Sequence, residues 1–585
     1  MAIKNQKIVA DFETTTTPDD VRVWAVCAVD IETCETVHIG NTIEGFMEWL
    51  SVRNTVCYFH NLKFDGEFIL WYLLTHGFTY SDTHEPRTFE TLITDDGIFY
   101  SITVYFSKKN KKYQKVTFYD SLKKLPFKVS VISKAFELED EKLSIDYDAP
   151  RPVGHALTEE EKKYIVNDCR IVAQALKIQM GQGLKKMTNA SDAMNGYKDI
   201  ISKSQFERLF PVLPVELDAD IRRAYKGGYV YLNPKHRGRQ GLQGITLDVN
   251  SLYPSVMYYS LLPYGYPMYF EGEPDLNENY PLFIVRLSCE FELKKDHLPT
   301  IQLKNNRAFI ETEYLSSSNG EIVEMTLTNV DLQLFLEHYN VYNLEYHCGW
   351  RFKGAVGMFK GYIDHWMHIK ETTTGALRQL AKLMLNSLYG KFATNPKARK
   401  KIPLLDGDGV VRYVLDDPEL RDPVYTAMGA FITAYAREKT IRSAQAVYDR
   451  FIYADTDSLH LIGYEIPEGL EVHPTHLGAW KNEGRFTNSK YLRAKTYMET
   501  MHEVKKDSLR AYATLMQHNH TEWIYREQDG IHAGITKVTC AGMPDNLKEV
   551  VTYRNFASGS TFEGKLMPRR YKGGIVLEKT TFTIK

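Results

Sequence analysis

The sequence predicts a multidomain protein of the α/β and α+β classes, and three observations lead to this prediction. With 585 residues, the chain is too long for a single hydrophobic core. Its hydrophobic content of 43%, with 12% aromatic residues, is typical of globular proteins. Apolar runs typical of strands, such as 8–10 and 55–59, alternate with segments of helical period, such as 158–179. We therefore expect roughly three to five compact units along the chain.

The composition argues against several classes of protein. No segment approaches the ~20 apolar residues that cross a membrane, and the start lacks the apolar stretch of a signal peptide. Seven scattered cysteines without a C-x-x-C pair predict reduced thiols, a cytosolic protein and no zinc site. The net charge is −2, but residues 351–405 carry 11 Lys and Arg against two acids. This excess suits a groove that follows phosphates, although a solvated basic face fits it equally well.

Residues 1–189 are expected to form one α/β unit. Apolar strands are predicted at 8–10, 55–59 and 116–119. Thr158 is followed by three glutamates, which indicates the start of a helix that runs to about 179. Glycines at 181 and 183 and the polar run 188–192 mark the boundary of the unit.

Four acids in this unit form a candidate site. Asp11 and Glu13 share one face of a strand end, Asp65 follows the second apolar run, and Asp168 lies four residues after Tyr164 on one helical face. Converging carboxylates suit two divalent ions about 4 Å apart that hydrolyse a phosphodiester. Tyr164 would orient the attacking water, and Phe64 would stack on a terminal base. Taken singly, the same acids fit an exposed strand end and an ordinary helix face.

A second acidic site is predicted where two apolar runs, 451–454 and 459–462, flank a sharp turn. Asp455 and Asp457 lie at the tip of this predicted β-hairpin and would repel each other without a cation. Asp248 ends another strand directly before a helix start. We expect Asp248 and Asp457 to bind two Mg²⁺ with the Val249 carbonyl as an extra oxygen, while Asp455 supports them electrostatically. A solvated turn is the alternative for the hairpin alone.

A helical pair is predicted at 358–371 and 375–393. On the second helix a polar stripe of Arg378, Lys382, Asn386 and Tyr389 lies opposite three leucines, Leu380, Leu383 and Leu388. Such a stripe suits a triphosphate, with its phosphates on the cations and its sugar or base on the tyrosine. An amphipathic surface helix is the alternative.

Two further segments suit contacts with a template. Tyr225 precedes the paired Gly227 and Gly228, where backbone could approach a strand closely, although a plain turn is equally compatible. Lys495 and Tyr497 would present a cation and an aromatic ring on one strand face. Elsewhere, 260–357 is expected to be β-rich, 394–425 loop-like, and 541–585 a small basic tail.

The motifs together resemble those of family B DNA polymerases. The order D-x-E, N-x-x-x-D and Y-x-x-x-D in the first site is similar to the exonuclease motifs of proofreading polymerases. D-x-x-S-L-Y-P at 248–254, K-x₃-N-S-x-Y-G at 382–390 and Y-x-D-T-D-S at 453–458 resemble the polymerase motifs. More narrowly, the whole chain resembles the protein-primed phage polymerases of the phi-29 type. The long interval between 254 and 382 leaves room for an inserted subdomain.

This resemblance implies an RNase H-like 3′–5′ exonuclease domain followed by a right-hand polymerase domain with two insertions. The implied units are the exonuclease domain (1–189), first part of the palm (190–259), first insertion for terminal-protein docking (260–357), fingers (358–393), second insertion for strand displacement and processivity (394–425), second part of the palm (426–540) and thumb (541–585).

The resemblance also implies roles for individual residues. The exonuclease metal ligands would be Asp11, Glu13, Asp65 and Asp168, assisted by Tyr164 and Lys142. The single-stranded 3′ end would be held by Thr14, His60, Asn61, Phe64, Ser121 and Leu122. The polymerase metals would bind Asp248 and Asp457, and the nucleotide would contact Tyr253, Lys370, Lys382 and Tyr389, with Tyr253 as a steric gate against ribose. Thr433 and Arg437 would touch template or primer.

The implied function is protein-primed replication of a linear phage genome, with strand displacement and proofreading. Cofactors would be two Mg²⁺ per active site, with Mn²⁺ able to substitute. Partners would be template and primer DNA, dNTPs and a terminal protein, with no membrane, in the cytoplasm of the infected bacterial host. The protein would be a monomer or a heterodimer with the terminal protein. A nucleic-acid-primed family B polymerase is the nearest alternative; a nuclease with a dead second site and a non-enzymatic scaffold are weaker ones.

Three departures from the family pattern are visible. Arg378 and Thr539 stand where lysines are expected, and Lys537 is the candidate replacement for the second. Residues 500–535 align poorly.

Overall fold

The computed structural model describes residues 6–109, 112–275, 277–302, 314–501, 523–525 and 535–585. Within those ranges no helix is long and apolar enough to cross a membrane. Residues 502–522 and 526–534, most of the poorly aligning segment, lie outside the described residues.

The N-terminal unit is built on an eight-stranded mixed sheet in the order β3-β2-β1-β4-β8-β7-β6-β5. The central strands β1, β4 and β8 run parallel, as the three predicted apolar runs require. The strands are β1 Gln6–Thr14, β2 Val23–Asp30, β3 Thr36–Gly40, β4 Thr55–Phe59, β5 Thr79–Tyr80, β6 Thr88–Ile93, β7 Phe99–Lys109 and β8 Lys112–Asp120.

Helices cover this sheet, and the longest confirms the predicted acidic start. At the start of α4 the Thr158 hydroxyl accepts a hydrogen bond from the Glu161 amide, and the Glu161 carboxylate accepts one from the Thr158 amide. Together they form a complete capping box. The buried face of α4 lies against β1 and β2, which brings its acids to the strand end. The helices are α1 Ile43–Ser51, α2 Leu62–Thr75, α3 Val129–Ala135 and α4 Glu159–Gly181, with a 3-10 turn at Ser121–Lys123.

A second eight-stranded sheet follows, in the order β25-β26-β24-β23-β10-β22-β21-β9. The predicted Asp248 strand is β10, and the predicted hairpin is β21 and β22, of which β22 pairs with β10. The strands are β9 Val230–Leu232, β10 Gly244–Val249, β21 Phe451–Asp455, β22 Ser458–Ile462, β23 Trp480–Arg493, β24 Thr496–Met501, β25 Trp523–Tyr525 and β26 Ile535–Cys540.

Between β10 and the helical pair lies a four-stranded antiparallel sheet in the order β11-β16-β12-β15, which confirms the β-rich prediction for 260–357. Helices α9 and α12 pack against it. The elements are β11 Leu262–Glu271, β12 Leu282–Leu293, β13 Ile301–Gln302, β14 Tyr314–Leu315, β15 Val323–Thr328, α9 Asn329–His338 and β16 Tyr339–Ala355.

The remaining helices surround the second sheet, and the predicted helical pair is confirmed as α10 and α11. Leu380 and Leu388 of α11 are buried, and Leu383 is half-buried against the same core. The helices are α5 Asn189–Ile201, α6 Lys203–Leu209, α7 Val215–Arg222, α8 Leu252–Tyr259, α10 Lys360–Thr372, α11 Gly375–Phe392 and α12 Thr426–Ala446, with 3-10 turns at Pro234–His236 and Tyr448–Arg450.

The loop-like prediction for 394–425 is wrong. This segment forms two strand pairs, because Asp and Gly are concentrated at the turn that joins β18 and β19 while both strands carry apolar residues. The strands are β17 Lys397–Ala398, β18 Lys401–Leu405, β19 Val411–Leu415 and β20 Glu419–Leu420. The C-terminal segment holds a short helix and a hairpin, α13 Asp545–Lys548, β27 Thr561–Tyr571 and β28 Gly574–Thr583.

Candidate active sites

The first acidic site forms where β1, α2 and α4 meet. Asp11 and Glu13 come from β1, Asp65 from the first turn of α2, and Asp168 from the middle of α4. Burial, and then the neighbouring Asp168, raise the pKa of Asp11 to about 7. Burial and the Asp11 charge likewise raise the pKa values of Glu13 and Asp65. Four mutually repelling carboxylates thus share one partly buried place, as the sequence predicted.

Two oxygens in this site fit a cation. Asp65 Oδ1 and Asp168 Oδ1 are buried without a hydrogen-bond partner, which is costly unless a bound group satisfies them. Carboxylate oxygens are the donors that hard divalent ions prefer. Among the described residues, no three acidic, His or Cys side chains stand at metal-binding distances.

Lys142 and Tyr164 lie beside these acids, as predicted. Lys142 Nζ pairs with Asp168 and lies 3.3 Å from the Tyr164 hydroxyl. Tyr147 was not predicted, although its hydroxyl is 2.6 Å from that of Tyr164. Tyr147 belongs to an irregular segment without periodicity, so only the folded chain shows the contact.

The residues predicted to hold a single-stranded 3′ end divide into two groups. Thr14, Asn61, Phe64 and Leu122 are at least partly exposed beside the acids. His60 and Ser121 instead bond to each other at 2.9 Å, and Ser121 is fully buried. They position the loop rather than present a free surface.

Asp120 was missed by sequence reasoning. Its Oδ1 accepts from the backbone amides of Asn61 and Leu122, each at 3.1 Å. It therefore ties two of the candidate strand-binding residues together. An aspartate that ends a strand before a short turn is the available sequence signal.

The second acidic site forms where β10 meets the β21–β22 hairpin. The Val249 amide donates to the Asp457 carbonyl at 2.7 Å, and Asp248 pairs in register with Ser458. Burial and the Asp457 charge raise the pKa of Asp248 to about 8, and burial and Asp455 raise that of Asp457 to about 6. The structure thus brings these two predicted ligands together; the part of the Val249 carbonyl remains a prediction.

Asp455 differs from its neighbour because it has its own partners. Its carboxylate accepts from the Tyr453 hydroxyl at 3.2 Å and pairs with Lys495 at 3.2 Å. These partners suit the predicted role of Asp455 as a supporting charge better than a role as a metal ligand.

The nucleotide side of this site is cationic and aromatic. The Tyr253 and Tyr389 rings stack with centroids 4.0 Å apart. Lys370 Nζ donates to Ser251 Oγ at 2.9 Å, and Arg378 donates to the Lys370 carbonyl. Burial, and then Arg378 and other cations, lower the pKa of Lys382 to about 8. Such crowded cations favour a polyanion between them.

Lys481 and Glu483 also face this site and were not predicted. Lys481 pairs across the sheet with Asp248, and its ammonium lies 2.5 Å from Glu483. Strand β23 carries no recognisable motif, so register alone places them here.

Gly228 packs closely against the acidic hairpin. A Cβ there would come within 2.6 Å of Thr456 Oγ1, so only glycine lets the loop approach the hairpin this closely. Its contact with a template stays a prediction. Gly227 is open, with nothing near its Cβ position, and Tyr225 is half-buried.

The structure also corrects Thr433 and Arg437. Both are buried on α12, and Thr433 bonds to its own helix. Arg437 pairs with Asp331 and donates to the carbonyls of Lys226 and Gly227. Arg437 thus supports the 225–229 loop from α12, and neither side chain is exposed in this structure.

Lys495 and Tyr497 do not share a strand face as predicted. Lys495 lies in the turn before β24 with φ of 55°, and its side chain is exposed, whereas Tyr497 is buried. A two-residue spacing places side chains together only where the backbone stays extended.

Carboxylates on an antiparallel sheet, opposite a cationic helix, are typical of nucleotidyl-transferring enzymes. Comparison with known proteins makes this class specific. The family described as "DNA polymerase type B, organellar and viral" matches residues 49–154 and 150–473. The DNA polymerase of Bacillus phage M2 is 48% identical over 579 residues, 98% of this chain and 99% of that one. The DNA polymerase of Bacillus phage phi29 is 46% identical over 98% of both chains.

Solved structures agree. The chain matches phi29 DNA polymerase complexed with primer-template DNA and incoming nucleotide substrates at a TM-score of 0.91, with 46% identity over the whole of both chains. The complex of that polymerase with single-stranded DNA matches at 0.92. The chain therefore belongs to the type B DNA polymerase family and is a DNA polymerase. The predicted architecture, an exonuclease domain followed by palm, fingers and thumb, is confirmed.

Proposed function

We propose that this polymerase replicates a linear phage genome by protein-primed initiation, in the cytoplasm of an infected bacterium. It extends the primer processively, displaces the downstream strand and proofreads through its 3′–5′ exonuclease site. The likeness to phage relatives along nearly the whole chain supports this proposal.

DNA synthesis is supported above all by one observation: Asp248 and Asp457 lie together opposite the cationic stripe of α11. Lys370, Arg378 and Lys382 hold the triphosphate, and the stacked Tyr253 and Tyr389 bound the space for its sugar and base. Two Mg²⁺, for which Mn²⁺ can substitute, would lie on the carboxylates and supply charge neutralisation for attack of the primer 3′-OH.

The first site carries the degradative half. Lys142 and Tyr164 stand beside Asp168, where they orient the water and the phosphodiester. Asn61, Phe64 and Leu122 hold the frayed 3′ end. Two separate carboxylate sites in one chain allow synthesis and removal of mismatched nucleotides without a partner enzyme.

The insertions supply the remaining roles. The sheet of β11, β12, β15 and β16 docks the terminal protein, whose hydroxyl is the first primer. The polymerase is otherwise a monomer and forms a heterodimer with the terminal protein. The β18–β19 hairpin wraps the template and displaces the downstream strand. We assign the exonuclease domain to residues 1–189 and the palm to residues 190–259 and 426–540. The fingers are assigned to residues 358–393 and the thumb to residues 541–585.

Incorporation of one labelled dNTP with Mg²⁺ and template tests the proposal. One reaction carries a DNA primer, and the other carries the candidate terminal protein without any nucleic-acid primer. Label on the protein is the expected result. Extension of the DNA primer alone would instead indicate a nucleic-acid-primed polymerase and overturn the assignment of the first insertion.

A further inference from the structure

The segment 136–158, between α3 and α4, carries two residues of the first acidic site without a helix or strand to hold them. The structure describes all of this segment. Lys142 Nζ and the Tyr147 hydroxyl both belong to it, and they lie 3.3 Å and 2.6 Å from the Tyr164 hydroxyl on α4. Side chains that take part in a reaction need fixed positions, so an irregular segment must obtain its rigidity from other contacts. For Tyr147 those contacts come from Arg151.

The Arg151 side chain is buried, with only 6% of it exposed, and its guanidinium lies inside the turn 146–149. It donates to the carbonyls of Asp146, Tyr147 and Ala149, at 2.8, 3.4 and 3.2 Å. Three carbonyls of one short turn thus converge on a rigid planar fork of N–H donors, which no side chain other than arginine provides. The conformation of the turn that carries Tyr147 therefore depends on this one guanidinium.

Arg151 is itself fixed to regular structure on two sides. Its Nε donates to Glu161 in the first turn of α4 at 2.8 Å, and its guanidinium carbon lies 4.0 Å from the centre of the Trp24 ring on β2. Glu161 is at the same time the capping-box carboxylate of α4. Because the same helix carries Tyr164, this ion pair joins the backbone that holds Tyr147 to the backbone that holds Tyr164.

We propose that Arg151 is a positioning residue of the exonuclease reaction, which holds the Tyr147 hydroxyl against that of Tyr164. This inference rests on the proposed 3′–5′ exonuclease function. Half of the Tyr147 side chain is exposed, so packing alone does not immobilise its ring. With its backbone held by Arg151, the ring meets that of Tyr164 edge-on, and the Tyr164 hydroxyl that orients the attacking water is kept in one place.

The primary test is single-turnover digestion of labelled single-stranded DNA by excess enzyme with Mg²⁺. Arg151→Gln removes the guanidinium, and Arg151→Lys keeps the positive charge. Arg53→Gln is the matched control, because Arg53 also lies over a tryptophan ring, that of Trp49 at 4.5 Å, and donates to its carbonyl, but does so at the end of α1. Melting by circular dichroism would establish that each variant is folded.

Loss of the fixed hydroxyl pair predicts a hydrolysis rate about tenfold lower for Arg151→Gln. Arg151→Lys should give an intermediate rate, because an ammonium keeps the charge opposite Glu161 but lacks the planar fork for the carbonyls. Arg53→Gln should digest DNA as wild type does. A wild-type hydrolysis rate in folded Arg151→Gln would overturn the inference.

Dependence on Tyr147 separates a positioning role from a general effect on stability. Tyr147→Phe removes the hydroxyl alone and keeps the ring. Arg151→Gln should then cause little further loss in the Tyr147→Phe background, since both changes act through one hydroxyl. Two losses that multiply in the double variant would contradict the positioning role.

The proposed function and this inference fail in different ways. Wild type that does not digest single-stranded DNA at all would refute the exonuclease function itself. Extension of a matched primer should proceed at the wild-type rate in Arg151→Gln, because the second acidic site is built from other strands. An equal loss of extension and digestion in Arg151→Gln would show a role in folding and would refute the inference alone.

Discussion

Individual carboxylates in both acidic sites stand in an environment that opposes their charge. Burial and like-charged neighbours raise the pKa of Asp11 to about 7 and that of Asp248 to about 8. Between pH 4 and pH 8 the folded state therefore binds protons that the unfolded chain does not, and stability falls as pH rises through this window. Bound divalent ions would remove that penalty.

Replacing Asp248 with Asn tests this at the level of one residue. In EDTA the variant should be more stable than wild type by about 1–2 kcal/mol near pH 8, because a repelling charge is gone. Mg²⁺ should raise the melting temperature of wild type and have a smaller effect on the variant. Thermal melts with and without Mg²⁺ measure both effects, with exposed Asp82→Asn as the control. An equal Mg²⁺ effect in the two proteins would contradict the metal assignment.

Tyr164 gives a second prediction at this scale. Its hydroxyl lies between Lys142 and Tyr147, so Tyr164→Phe removes a hydrogen-bonding group but keeps the ring. We expect exonuclease activity to fall about 10- to 100-fold while nucleotide incorporation is unchanged. Digestion of labelled single-stranded DNA measures the first and single-nucleotide extension the second. A parallel loss of both activities would show a role in folding rather than in hydrolysis.

The sequence predicted the acids of both sites because each acid lies in a motif, and the motifs follow one another in a recognisable order. Tyr147 and Lys481 could not be predicted, since one lies in an irregular segment and the other reaches its site through strand register. The burial of Thr433 and Arg437 was missed because helix α12 is buried nearly all round, and no periodicity distinguishes a lining face from a core face.

Secondary-structure elements determine how these residues meet, and the start of α4 is the clearest case. Burial raises the pKa of Glu161, but the Thr158 amide, His155 and Arg151 outweigh burial and hold it at about 2. The contribution of Glu161 to stability is therefore fully present above the unfolded pKa of about 4.5 and is lost as pH falls toward 2.

Glu161→Gln should lower the free energy of unfolding by about 1–3 kcal/mol at pH 7, and the difference from wild type should narrow below pH 4.5. Denaturant unfolding of wild type and variant at pH 7 and pH 4 measures this difference in the free energy of unfolding. Glu159→Gln, at an exposed site on the same helix turn, should cost under about 0.5 kcal/mol. A difference that does not narrow with falling pH would mean that charge is not the cause.

Elements with strong periodicity or caps were predicted correctly, including α4, α10, α11 and the acidic hairpin. The strands within 394–425 were not, because they are two to five residues long and their turn residues dominate the composition. Their pairing is a property of the tertiary structure, in which β18 and β19 lie against α2.

In the whole molecule, one buried carboxylate joins three distant parts of the chain. Glu67 of α2 accepts from Arg570 of β27 at 2.8 Å and from Tyr413 of β19 at 3.0 Å, partners 503 and 346 residues away. The Trp71 indole adds a bond to the Gly409 carbonyl. Segment 394–425 and the C-terminal hairpin thus meet on the N-terminal unit. Such sequence separations left no pattern from which the contact could be predicted.

Breaking this junction should shorten the products of each binding event. Arg570→Gln leaves Glu67 buried without its cation, which destabilises the contact of α2 with β19 and β27. We expect product length in the presence of a DNA trap to fall several-fold, while the rate of the first incorporation stays the same. Arg569→Gln is the control, because Arg569 is mostly exposed. Unchanged product length would show that the junction does not contribute to processivity.

In the proposed function, two carboxylate sites in this chain perform opposite reactions independently. The most direct measurement follows one labelled primer-template with a 3′ mismatch, with Mg²⁺ and dNTPs, in Asp457→Asn and Asp65→Asn. The first variant should shorten the primer without extending it, and the second should leave the mismatch in place while still extending matched primers. Loss of both reactions in either variant, or synthesis that persists in Asp457→Asn, would contradict the account.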